Sequence, residues 1–107
     1  MSWIIKLKDK CYIEYNKKTE TFDSNVLAKD EVLLLLKADA EKRKLSKTTL
    51  DVDKDVKNMF DFIEQNGTSD LHRGVNLKFV LKYNESGVDG KPLSLEEILS
   101  IYTKSSK

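Results

Sequence analysis

The stretch Ser2-Trp3-Ile4-Ile5-Lys6-Leu7-Lys8-Asp9-Lys10-Cys11-Tyr12-Ile13-Glu14-Tyr15-Asn16 decides the fold class. Up to Lys8 its side chains alternate, with Trp3, Ile5 and Leu7 facing one way and Lys6 and Lys8 the other. A period of two is the signature of a half-buried strand. Lys8-Asp9-Lys10 is polar enough to turn. After it, Cys11, Ile13 and Tyr15 alternate with Tyr12, Glu14 and Asn16, and β-branched and aromatic residues of this kind suit a pleated surface. Asn16-Lys17-Lys18-Thr19 reads as a second turn and 20–23 as a short third strand. The first quarter of the chain is therefore expected to be an antiparallel meander.

Beyond the meander the period changes. Val32, Leu35, Leu36 and Ala40 recur at helical spacing, which predicts a helix over 29–44. Asp30 and Glu31 open it and Lys42, Arg43 and Lys44 close it, an order that complements the backbone dipole. Leu34, Ala38 and Leu45 form a second, narrower stripe on roughly the opposite side. A polar link over 46–50 precedes a second helix over 53–66, where Val52, Val56, Met59, Phe60 and Ile63 keep the 3.6 rhythm. Gly67 can supply its left-handed cap. After a loop over 68–74, the alternation of Val75, Leu77, Phe79, Leu81 and Tyr83 against Asn76, Lys78 and Lys82 predicts a central strand. The segment 84–92, with two glycines and the only proline, reads as a loop. Ser94 and Glu97 then stand at capping-box spacing before a last helix that buries Leu95, Ile98, Leu99 and Tyr102, and 103–107 is expected to fray. The expectation is one α+β domain over 1–107. It has the order βββ-α-α-β-α, a mostly antiparallel sheet, and helices packed on one face.

Composition bounds the function. The chain has 107 residues, 39% hydrophobic and 35% charged, and a net charge of +1, so no global field steers a polyanion. Seventeen lysines outnumber two arginines. That is a poor inventory for reading base edges, which relies on arginine's planar fork. The single cysteine, Cys11, cannot form an internal disulfide, and lysines interrupt the N-terminal apolar residues too early for a secretory core. The longest apolar run, 32–36, is far too short to cross a membrane. A cytoplasmic protein needing no cofactor and no metal is expected.

Four constellations compete for a role. Asp51-Val52-Asp53-Lys54-Asp55 begins like a calcium loop, but the sixth position holds Val56 where glycine is needed and the twelfth holds Phe62 where glutamate is needed. Acidic capping of the second helix explains these aspartates more simply. His72, the only histidine, could act as a general base in a small hydrolase or nuclease with Arg73 steadying charge. No second catalytic partner is identifiable, so no catalytic residue is assigned. Trp3, Tyr12 and Tyr15 interleave with Lys6, Lys8, Lys10, Lys17 and Lys18, which would suit weak nucleic-acid binding centred on Lys6, Lys8, Lys17 and Lys18. The simpler reading makes the aromatics core and the lysines solvated.

The fourth constellation is surplus apolar surface: Leu34, Ala38 and Leu45 on one helix and Phe62 on the next. Either the helices pack on each other there, or the surplus marks a protein partner or a homodimer seam. The leading expectation is a non-enzymatic interaction or regulatory module that docks onto another protein. Small accessory factors, those of viruses and mobile elements among them, share this profile.

Overall fold

A computed structural model describes residues 2–84 and 90–103. The elements run β1 (Ser2–Lys8), β2 (Cys11–Asn16), β3 (Thr21–Phe22), α1 (Lys29–Lys44), α2 (Val52–Asn66), α3 (Leu77–Lys82) and α4 (Leu95–Ile101). The strands form one antiparallel sheet in the order β1-β2-β3. Trp3 lies opposite Tyr15 and Ile5 opposite Ile13, so the expected apolar face is continuous across both long strands. The turn between them places Lys10 in the left-handed region at φ 63°. Both free flanks are partly covered. Lys6 N–H donates to Gly67 O at 2.9 Å and Ser69 N–H to Ile4 O at 2.9 Å, while Tyr12 and Leu27 exchange backbone bonds of 2.9 and 2.6 Å.

The expected α+β class stands, and two details of arrangement depart from the sequence reading. First, helices cover both faces of the sheet and not one. Ile5, Leu7, Ile13 and Tyr15 pack with Val75 and Val80 near α3 and with Leu93 and Ile98 near α4. From the other face, Ile4 and Tyr12 pack with Val32 and Leu36 of α1 and Phe60 and Ile63 of α2. The lysines and Glu14 made that second face look solvated. It is buried because its polar tips find a partner: the Tyr12 hydroxyl donates to Glu64 at 2.8 Å, and Lys6 Nζ lies 3.0 Å from the same carboxylate.

Second, the strand predicted over 75–83 is the short helix α3. Asn76 caps it by accepting from Phe79 N–H at 3.0 Å. The alternation leaves apolar Val80 among the lysines, whereas helical spacing groups it with Leu77 and Leu81, three and four positions from Leu77. The sheet also has little room for another strand, since the outer edge of β1 is taken by the bridge from Ile5 to Thr68. Consequently Val80 is fully buried, and Phe79, expected at the centre, is only half-buried.

Elsewhere the local signals hold. Gly67 caps α2 at φ 73°, Asp51 accepts from Lys54 N–H at its start, and Ser94 and Glu97 form the capping box of α4. Glu31 reaches back to Ala28 N–H at 3.0 Å, half of a capping box, because Ala28 has no side-chain acceptor. Of the loop read over 84–92, residues 85–89 lie outside the described residues, as do 104–107 of the tail.

Candidate functional site

Arg43 ties the end of α1 to the start of α2. Its guanidinium holds Asp39 at 2.9 Å on its own helix and Asp55 at 2.6 Å in the first turns of α2. The inward side of α1 buries Val32, Leu36 and Ala40. With about 100° of rotation per residue, Leu34, Ala38 and Leu45 come round to the outward side. Leu34 is 68% exposed and Leu45 85%, and Ala38 is exposed between them. Leu45 belongs with the helix, since its own backbone at φ −59° and ψ −33° continues the turn.

Two shallow grooves run between this outward side and α2. One, of about 370 Å³, is lined by Leu33, Leu34 and Lys37 of α1 with Asp53 and Val56 of α2. The other, of about 500 Å³, continues past Lys37 to Glu41, Lys44 and Leu45 opposite Val52. Apolar walls rimmed by alternating charge suit a docking surface better than a catalytic pocket. The structure therefore brings Leu34 and Leu45 to one surface with Ala38. Phe62 stands apart: it is half-buried on α2, belongs to neither core and lines neither groove.

The catalytic alternative gains no geometry. His72 is exposed, and its hydrogen bond is the backbone N–H donated to Asp70 at 3.0 Å. Cys11 is half-buried against the first core, and no hydrogen bond joins it to His72. A third cleft, of about 300 Å³, holds Glu14 and Asp39 above Ile4, Leu36 and Met59. Burial, and to a lesser degree Asp23, push the Glu14 carboxyl up. Asp39 is paired with Arg43. The serine hydroxyls of the lining are engaged elsewhere, Ser2 donating to Asp23 and Ser69 accepting from Ile4 N–H. No base–nucleophile pair or set of oxyanion donors therefore converges there to define a reaction. Among the described residues, no three His, Cys, Asp or Glu side chains gather as metal ligands. Nor is any described helix long and apolar enough to cross a membrane.

The nucleic-acid alternative loses its stacking platform. Tyr15 is fully buried, and burial pushes its hydroxyl up to about 12. Lys6 is committed to Glu64, while Lys8, Lys17 and Lys18 are exposed without a shared aromatic face. Lys17 instead lies over the Phe79 ring, 5.6 Å from its centroid.

Sequence reasoning missed the grooves because Val52 and Val56 belong to the core rhythm and Leu33 lies in neither apolar stripe of α1. The cleft beside them exists only once α1 and α2 are packed together. The chain matches no family model, no curated protein and no solved structure.

Proposed function

We propose that this protein is a non-enzymatic interaction module of the cell interior, docking onto a protein surface through the outer side of α1. One observation carries the reading: two leucines, 68% and 85% exposed, stand on the same side of a helix whose other side is fully committed to the core. Leaving them in water forfeits roughly 1.5–3 kcal/mol per side chain relative to burial, and a partner would recover much of it. Lys37, Glu41 and Lys44 around them supply the polar rim that orients a partner. The expected role is accessory or regulatory, exerted by occupancy and without chemistry.

The test is site-specific photocrosslinking in the source cell, with benzoylphenylalanine installed in place of Ala38. The same group in place of Lys57, an exposed position on α2, serves as the control. A protein adduct formed from position 38 and absent from position 57 supports docking through α1. No adduct from position 38, or turnover of a substrate by the purified chain, overturns the reading.

A further inference from the structure

The short helix α3 carries its charges against local preference. Lys78 and Lys82 stand four residues apart, so their side chains share one side of the helix and repel. Lys78 also sits in the first turn, where the backbone dipole favours an anion. Lys17, on the turn after β2, adds a third cation, its Nζ 5.6 Å from the centroid of the Phe79 ring. All three lysines are exposed, and among the described residues none of them is in an ion pair. Asp70 does not relieve them, because it is buried and held by backbone N–H groups. Glu20 shares the turn with Lys17 but is outnumbered there by Lys17 and Lys18.

Aromatic rings stand among these cations. Lys78 and Lys82 line a shallow cleft of about 240 Å³ together with Gly74, Asn76, Phe79 and Tyr83. The Phe79 and Tyr83 rings lie 4.8 Å apart and tilted by 46°, a contact that leaves Tyr83 48% exposed. Its backbone is held on both sides, since the Tyr15 hydroxyl donates to Tyr83 O and Tyr83 N–H donates to Phe79 O at 3.0 Å. We infer that this corner binds single-stranded nucleic acid, with a base stacked on Tyr83 and the neighbouring phosphates held by Lys17, Lys78 and Lys82. Charge and ring together choose the occupant. A polyanion satisfies three unpaired cations, and a base covers an exposed ring that an acidic peptide would leave in water. A duplex keeps its base faces stacked inside. Lysine point charges read no base edges, so binding is expected to ignore sequence. The site is not the N-terminal lysine face, where Lys6 is committed to Glu64, and only Lys17 is common to both. It lies on the side of the sheet opposite α1, so it stands or falls independently of docking through that helix.

Fluorescence anisotropy of a short labelled oligothymidylate, titrated with the purified chain at several salt concentrations, tests this. The dissociation constant is expected on the order of 10–100 µM near physiological salt. Three phosphate contacts at about 0.7 each predict a log–log salt slope near −2, or roughly twentyfold weaker binding at about 200 mM than at about 50 mM salt. Lys78→Gln with Lys82→Gln should reduce the slope to about −0.7, and Lys17→Gln, which lies outside α3, to about −1.4. Lys47→Gln with Lys54→Gln, an equal loss of charge at exposed positions elsewhere, should leave the slope near −2. Tyr83→Leu keeps an apolar contact with Phe79 and should bind at least about fivefold more weakly with the slope unchanged. An abasic strand of the same length should bind wild type at least about fivefold more weakly than oligothymidylate, which measures stacking without any substitution. Circular dichroism melts establish that each variant is folded in the assay. No binding at about 50 mM salt, a slope indifferent to Lys17, Lys78 and Lys82, or equal affinity for the abasic strand would each overturn the inference.

Discussion

Asp70 shows how one carboxylate can hold a loop. It is 5% exposed and accepts from His72 N–H at 3.0 Å and from Val75 N–H at 2.9 Å. Thr68, fully buried beside it, donates to Val75 O and accepts from Asp70 N–H. The Val75 bond, helped by the His72 and Gly74 N–H groups, outweighs burial and holds the Asp70 carboxyl below the usual aspartate range. A depressed carboxyl contributes stability above its unfolded pKa, about 3.9, and loses it as pH falls through the folded value. Asp70→Ala should cost about 1–3 kcal/mol at neutral pH by orphaning the buried Val75 donor. Asp70→Asn should narrow the gap in stability between pH 7 and pH 2, because the substituted amide has no proton to gain. Urea melts of the three proteins at both pH values measure the two effects. Equal acid sensitivity in wild type and Asp70→Asn would show that the carboxylate charge is not what holds the loop.

At the scale of elements, legibility in the sequence followed length. The helix read over 29–44 coincides with α1, and β1 and β2 begin and end where the alternation does. Sixteen residues of one period leave no competing interpretation. The stretch from Val75 to Tyr83 failed because its valine, phenylalanine and leucine favour a strand by propensity. Two signals pointed the other way: Val80 breaks the alternation and joins Leu77 and Leu81 only at helical spacing, and Asn76 is an N-cap residue three positions before Phe79. The corrected placement reverses an energetic ranking. Val80, fully buried in the first core, should cost about 2 kcal/mol as Val80→Ala, near two lost methylenes plus a cavity. Phe79 touches Tyr15 edge-on and stacks tilted on Tyr83 at 4.8 Å while half-exposed. Phe79→Ala should therefore cost less than the roughly 3–5 kcal/mol of a fully buried phenylalanine. Gly67 gives a second measure of local backbone chemistry. A Cβ there would meet nothing within 4 Å, so Gly67→Ala should lose only the left-handed penalty of about 1–2 kcal/mol. Thermal melts rank all three. A Phe79→Ala protein near unfolding, with Val80→Ala unaffected, would return 75–83 to the strand reading.

The molecule as a whole is a sheet filled from both sides, and neither filling is independent of the other. Ile4 and Ile5 are neighbours on β1, yet one packs with α1 and α2 and the other with the cores of α3 and α4. A backbone shift that accommodates a loss on one side displaces the adjacent residue on the other. The sequence displayed the first face plainly and hid the second, because Lys6 and Glu14 mark positions that α2 and the segment after β3 nevertheless enclose. It displayed the outer stripe of α1 but not the grooves beside it, which depend on how two helices are tied together. Such coupling makes one cooperative transition the expectation for a chain this small. Ile13→Ala, in the first core, and Ile63→Ala, in the second, each remove a fully buried side chain and should each cost about 2–5 kcal/mol. Trp3 packs against the core on the α3 and α4 side, while also bordering the cleft with Leu36 and Met59. Its fluorescence is therefore weighted to the first side, whereas far-UV circular dichroism is dominated by α1 and α2 on the other. In Ile63→Ala the two signals should still melt at one midpoint, lowered together. Fluorescence persisting after the helical signal is lost would mean that the two layers unfold separately, with the sheet surviving on its α3 and α4 side alone.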